Sequence, residues 1–259
     1  MRTHTSLFLL VVASLTAVVG CAPSGSAGRA AAMGAMPATV TVFAAASLTG
    51  PFTMLGRQFE RNHPATTVRF SFGASSTLAQ QILAGAPADV FAAASASTMQ
   101  QVVAGGSAAD PRTFARNSAE IAVAPASAAR VHRLSDLAGT GVRVALCEPA
   151  VPCGALAEQV LARAGVRVRP VTRGLNVKST LAYVSSGEVD AAIVYRTDVL
   201  AAGKAVAGVP IPAAVNGSTA YPIAVLHSDA SNALARDFAD YVLSQPGQAV
   251  LARAGFAHP

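Results

Sequence analysis

An apolar run beginning at Val40 ends in Ala44-Ala45-Ala46, and a helical pattern opens directly after it with Ser47 at the junction. Phe52, Leu55 and Phe59 follow at spacings of three and four, which predicts an amphipathic helix to Asn62 that turns its apolar face inward and leaves its first-turn amides free. The same form recurs downstream. Val68 to Phe72 reads as a strand, Gly73-Ala74-Ser75-Ser76-Thr77 as a junction, and Leu78 with Ile82 as the buried face of a second helix. A strand at Asp89 to Ala93 and a helix at Ser97 to Ala104 complete this first set. Strand alternating with helix predicts an α/β domain with a mostly parallel sheet. In such sheets ligands gather outside the carboxyl ends of the strands, where Ser47 and Ser75 fall.

The pattern restarts at Ile121 to Pro125. Leu134 to Leu137 reads as a helical turn, Gly141 to Leu146 as a strand, and Pro152 to Ala164 as a helix with Leu156, Val160 and Leu161 as its apolar stripe. The loop Cys147-Glu148-Pro149-Ala150-Val151-Pro152-Cys153-Gly154 joins that strand to that helix and again delivers amides near a helix start. Asn176-Val177-Lys178-Ser179 precedes another amphipathic segment through Leu181 and Val184, and Ala191 to Tyr195 is a buried strand ending in a phenol. Tyr221 to Leu226 reads as a strand, followed by helices at Ala230 to Leu243 and Pro246 to Ala254. The halves share no internal sequence repeat.

Composition narrows the field. A chain of 259 residues with 52% hydrophobic and 12% charged residues is globular and large enough for one large or two modest domains. Aromatics are 5% and tryptophan is absent, so the usual platforms for sugars and single-stranded nucleic acid are missing. The net charge of +6 is scattered rather than gathered into a basic run, which describes a solvated surface with a mild attraction for anions, not a nucleic-acid binder. At the amino end, Met1-Arg2-Thr3-His4 precedes an apolar stretch from Leu7 to Val19. That stretch is too short to span a bilayer and reads as a signal peptide over residues 1–20. Val18-Val19-Gly20-Cys21 resembles the lipobox of bacterial lipoproteins, in which the cysteine receives a diacylglycerol before cleavage. Its two acyl chains would hold the protein at the membrane. An ordinary cleaved signal with an incidental cysteine is the alternative. Ala22 to Ala38, rich in Ser, Gly and Ala, reads as a flexible tether.

Two helix starts that each carry a serine point to one oxyanion held between them, although a serine at such a junction also serves as a plain helix cap. The wording of the motifs goes further. Phe43-Ala-Ala-Ala-Ser-Leu-Thr, Phe72-Gly-Ala-Ser-Ser-Thr-Leu-Ala-Gln-Gln-Ile and Gly85-Ala-Pro-Ala-Asp-Val-Phe-Ala closely resemble the molybdate-binding proteins of molybdate ABC transporters. That resemblance covers Thr39 to the carboxyl end. It implies a type II periplasmic-binding-protein fold, two α/β lobes joined by a two-connection hinge, with residues 39–117 and 221–259 in one lobe and 118–220 in the other. It also implies ligand contacts from Ser47 and Ser75 on the first lobe, and on the second from the backbone amides of Cys153 and Val177 and the Tyr195 phenol. Cys153 stands where the family commonly has alanine. The implied ligand is molybdate or tungstate, with molybdenum present only as the bound oxyanion and no cofactor. The implied partner is an ABC permease, and the protein is expected to be a monomer on the outer face of the cell membrane.

Read from the residues alone, Val177 also fits simple core packing and Tyr195 a buried strand tyrosine bonded to backbone. Cys147 and Cys153 lack the Cys-x-x-Cys spacing and have no histidine cluster beside them, so metal binding and thiol exchange are disfavoured. In an exported protein a structural disulfide is the expected state, two reduced buried thiols being the alternative. A serine hydrolase is the reading from another class. It lacks its Gly-x-Ser-x-Gly elbow, because Gly73-Ala74-Ser75-Ser76-Thr77 has no second glycine. His63, His132, His227 and His258 lie in polar or terminal contexts. Within the binding class, sulfate, phosphate or iron-ligand carriage remains open.

Overall fold

The computed structural model describes residues 38–227 and 233–259; the signal segment, Cys21 and the tether as far as Pro37 lie outside them, as does the start of the helix expected from Ala230, while Ala38 already belongs to the first strand. The first set of elements is β1 (Ala38–Ala45), α1 (Thr49–Asn62), β2 (Thr66–Gly73), α2 (Ser75–Leu83), β3 (Val90–Ala92) and α3 (Ala96–Ala104). A single long strand, β4 (Arg112–Val123), leads into β5 (Val144–Cys147), α4 (Pro152–Ala164), β6 (Thr172–Gly174), α5 (Val177–Ser185), β7 (Ala191–Tyr195), α6 (Arg196–Ala202) and β8 (Ala207–Pro210). The chain then returns through β9 (Ser218–Val225) and ends in α7 (Ala233–Leu243) and α8 (Gln245–Arg253).

The strands follow the order β2-β1-β3-β9-β4-β7-β5-β6, with β8 also on β4. β1 pairs in parallel with β2 and β3, and β5 in parallel with β6 and β7. The parallel pairing expected of the first set holds for β1, β2 and β3, while β9 and β4 run antiparallel to their neighbours and make the whole sheet mixed. Those two long strands join the halves. Arg112 to Ser118 of β4 pair with β9, and from Ala119 onward the same strand pairs with β7, then with β8. The second set therefore does not begin afresh at Ile121: the chain passes between halves inside one unbroken strand.

Helices cover the sheet because their apolar stripes match its faces. Phe52, Leu55 and Phe59 of α1 are fully buried, as the three-and-four spacing requires. They meet Phe70, Phe114 and Phe238 in a cluster of rings with centroids 5.4–6.2 Å apart, the offset and edge-on range that favours aromatic pairs. The few aromatics of this chain are thus concentrated under the first half of the sheet. Tyr221 of β9 joins them, with Phe256 at 5.2 Å and Tyr195 at 6.0 Å. In the second half the core is aliphatic, built from Ile121, Ala122, Val144, Ala145, Val160 and Ile193.

Candidate anion-binding cleft

β1 and β2 end side by side, Ala45 opposite Gly73, so the turns that follow them sit at one edge of the sheet. Ser47 lies in a 3-10 turn over Ala46–Leu48 rather than in the first turn of α1, which starts at Thr49. Ser75 is the first residue of α2. Neither serine caps a helix. Ser75 Oγ accepts a hydrogen bond from the Ala94 amide (2.9 Å) and Ser47 Oγ is bonded to the Tyr221 hydroxyl (2.9 Å). The first helical bond of α2 runs from Leu78 N–H to the Ala74 carbonyl (3.0 Å), which leaves the amides from Ser75 to Thr77 ahead of the ladder.

The second half presents its donors by a different route. In α4 the first residue is Pro152, which has no N–H, and the Gly154 and Ala155 amides both bond the Val151 carbonyl at 3.0 Å. Among the described residues nothing accepts from the Cys153 amide, so it is the donor this helix start has to offer. In α5 the Asn176 side chain caps Lys178 N–H (2.9 Å) and Ser179 N–H (3.1 Å), and Ser179 Oγ accepts from Asn176 N–H (3.1 Å). Only Val177 N–H of that turn is left without an acceptor among the described residues. Two glycines permit these helices to approach. A Cβ on Gly154 would overlap the Glu148 carbonyl, and one on Gly174 would overlap Thr180 Oγ1. Cys147 and Cys153 form a disulfide with Cα atoms 5.8 Å apart, tying the end of β5 to the start of α4.

The two groups of donors face one cleft. Ser47, Ser75, Cys153, Val177 and Tyr195 all line it, with Asn176 beside them, and the cavity they leave measures about 20 Å³. The start of α5 packs on the 3-10 turn that carries Ser47, so both halves contribute to one shell. A hollow of about 380 Å³ between α1, α5, α6 and α8 is far larger, but the cleft is the smaller space that the unpaired donors line. None of its described lining residues is charged.

Tyr195 decides what kind of site this is. Its side chain is 2% exposed and its hydroxyl has no hydrogen-bond partner among the described residues. Burial, then the neighbouring Tyr221 and Asp198, raise its pKa well above that of an ordinary phenol, so it stays a neutral donor. Tyr221 is likewise raised, chiefly by burial. Asp198, in the first turn of α6, is buried and its pKa is raised by desolvation, which Lys178 opposes from 3.0 Å through an ion pair. Among the described residues Asp198 is the buried carboxylate beside the phenols, and the Lys178 ammonium offsets the charge with which it would repel an anion. Orphan O–H and N–H groups converging without an acceptor or a metal cage describe a pocket for an oxyanion. Among the described residues no group of three or more His, Cys, Asp or Glu is placed to hold a metal ion.

Residues 40–257 match the family model described as "Bacterial extracellular solute-binding protein". The chain belongs to that family. The molybdate-binding protein ModA of Mycobacterium tuberculosis H37Rv is 37% identical over 252 residues, 96% of this chain and 97% of that protein. ModA of Haemophilus influenzae is 31% identical, covering 86% of this chain and 91% of its own. Among solved structures, the periplasmic molybdate-binding protein of Azotobacter vinelandii superposes with a TM-score of 0.76 at 23% identity, over 85% of this chain and 99% of that one. The architecture of two α/β lobes sharing two long strands is the type II periplasmic-binding fold.

For a solute-binding protein, the five residues anticipated from the motifs occupy one cleft. Neither serine acts as a cap. The hydrolase reading fails on kinship, since the chain belongs to a solute-binding family, and His63 is stacked on Phe59 at 4.0 Å. Sequence reasoning missed Tyr221, Asn117 and the Lys178–Asp198 pair. Tyr221 and Asn117 carried one faint signal, a polar atom at a buried strand position, which requires a partner somewhere.

Proposed function

We propose that this protein captures molybdate, and tungstate with it, between its two lobes outside the cytoplasm and delivers it to an ABC permease for import. The observation that carries this reading is the buried Tyr195 hydroxyl, unpartnered in a cleft where the Cys153 and Val177 amides also lack an acceptor among the described residues. A tetrahedral dianion supplies an acceptor to each of the serine hydroxyls, the Cys153 and Val177 amides and the phenol. Each such charge-assisted bond contributes about 1.5–3 kcal/mol. The small volume disfavours sugars and peptides. The relatives named as molybdate-binding proteins select this oxyanion from others of the same geometry.

In this reading the lobes are 39–117 with 221–259 and 118–220. They close on the ligand because donors from both are satisfied together only in the closed form. Cys21 carries the lipid that tethers a monomeric domain to the membrane, and the Cys147–Cys153 disulfide braces the loop that presents the Cys153 amide. Calorimetric titration with molybdate, tungstate, sulfate and phosphate at neutral pH is the deciding experiment. Molybdate and tungstate are expected to bind alike, then sulfate, then phosphate; phosphate binding as tightly as molybdate would overturn the assignment. For the anchor, Cys21→Ser should move the protein from the membrane to the soluble fraction, and unchanged fractionation would refute it.

A further inference from the structure

The two serines of the cleft differ in what stands behind them. Ser75 Oγ accepts from a backbone amide, which has no choice of direction. Ser47 Oγ faces another hydroxyl, Tyr221 Oη at 2.9 Å, and either oxygen could donate to the other. What settles the direction lies deeper, on the strands that join the lobes. Asn117 of β4 and Tyr221 of β9 stand two residues out of register on neighbouring antiparallel strands, Asn117 opposite Thr219 and Tyr221 opposite Ala115. Both are buried. Asn117 Oδ1 accepts from Ser118 N–H at 3.0 Å, so the carboxamide is oriented and its nitrogen points the other way. Asn117 Nδ2 donates one proton to Thr197 Oγ1 (2.8 Å) and faces Tyr221 Oη with the other (3.4 Å).

The consequence passes along the chain of groups. An amide nitrogen only donates. Tyr221 Oη therefore accepts from Asn117 and, because the neighbouring Tyr195 hydroxyl lies outside hydrogen-bond geometry while Ser47 Oγ stands at 2.9 Å, turns its own proton to Ser47. Ser47 Oγ accepts that proton and is left free to turn its own hydrogen to the cleft it lines. We propose that Asn117 and Tyr221 are positioning residues that lock Ser47 as a donor, and so bias the site toward oxyanions that carry no proton. This rests on the oxyanion reading of the cleft. Molybdate and sulfate offer only acceptors at neutral pH. Hydrogen phosphate must also donate, and with Ser47 and Ser75 both holding an inward donor that proton lacks a good acceptor.

The relay crosses the hinge. Ser47 belongs to the first lobe, Thr197 to the second, and the two residues between them sit on the strands that join the lobes.

Two variants test the direction rather than the mere presence of the relay. In Tyr221→Phe the Ser47 hydroxyl is released and can offer its oxygen to a protonated ligand. Phosphate affinity relative to sulfate should then rise about tenfold, the worth of one regained hydrogen bond, with the molybdate-to-sulfate ratio unmoved. In Asn117→Asp the side chain only accepts, so Tyr221 donates to it and Ser47 donates to Tyr221, presenting lone pairs to the cleft. Molybdate and sulfate should each weaken about tenfold or more, and phosphate should weaken less. Titrations of both variants and the wild type, with circular dichroism to confirm folding, supply the ratios. If all oxyanions weaken by one common factor in Tyr221→Phe, the pair is only structural and the proposal fails. Should Asn117→Asp not fold, Tyr221→Phe alone still decides. A wild type that binds sulfate or phosphate in preference to molybdate would refute the ligand assignment, yet its phosphate-to-sulfate ratio against Tyr221→Phe would still judge the relay.

Discussion

Removing the Tyr195 hydroxyl separates what holds the fold from what holds the ligand. In Tyr195→Phe the ring keeps its edge-on contact with Tyr221 at 6.0 Å, and the oxygen that is lost made no hydrogen bond within the described chain. No partner is orphaned by the change. The fold should therefore lose nothing beyond about 0.5 kcal/mol, the scatter of a neutral substitution, and a gain is expected if the buried hydroxyl is a cost in the empty protein. The bound oxyanion, by contrast, loses one charge-assisted donor of about 1.5–3 kcal/mol, which is roughly a 10- to 150-fold rise in Kd. Urea unfolding without ligand measures the first quantity and calorimetric titration with molybdate the second. A thermal shift at fixed ligand gives an independent check, because ligand stabilisation falls by about 1.4 kcal/mol for each tenfold loss of affinity. Destabilisation by more than about 1 kcal/mol with unchanged affinity would show that the hydroxyl serves the fold, and the cleft argument would collapse.

Ser75→Ala should behave in the opposite way in the empty protein: it strands the Ala94 amide, which Ser75 Oγ accepts at 2.9 Å, at a cost of about 1–3 kcal/mol. It should lower affinity for every oxyanion as well, and urea melts showing full stability would contradict the bond. Gly154→Ala places a Cβ on the Glu148 carbonyl, so the start of α4 must shift; a loss of about 1–3 kcal/mol is expected, with weaker molybdate binding by titration. Asp190 accepts from Ser127 Oγ at 2.7 Å, from Arg143 N–H at 2.7 Å and from Arg130 at 2.7 Å. Burial opposes ionisation there, but these bonds and the two guanidinium groups prevail and hold its pKa below the ordinary value. A carboxyl depressed in the folded state contributes stability present above its unfolded pKa of about 3.9 and lost as pH falls through the folded value. Asp190→Asn should therefore lower the melting temperature at pH 7, and the gap from wild type should narrow on acidification below about pH 4; a gap independent of pH would refute the linkage.

Much of the first half was legible along the chain. The spacing of Phe52, Leu55 and Phe59 fixed the inward face of α1 and the rings are fully buried, since helical periodicity is a local property that a sequence displays directly. The junction serines were visible for the same reason, each falling where one local pattern gives way to another. β6, β8 and α6 were not anticipated. They are three, four and seven residues long, too short for periodicity to register. β4 was read only in its last residues because Arg112, Arg116 and Asn117 interrupt its apolar run; its pairing with β9 on one part and with β7 and β8 on another makes it a strand.

The sequence by itself determined which backbone segments could offer donors, because proline at Pro152 and the asparagine cap at Asn176 dispose of neighbouring amides within a single turn. Only the tertiary structure decided where those donors meet and which way their protons point. Ser47 and Tyr221 are 174 residues apart and Asn117 lies 104 from Tyr221, so no local pattern records their contact. A hydroxyl's direction is set by whatever already donates to it, and for Ser47 that is a residue on the returning strand, known only once the chain has closed on itself.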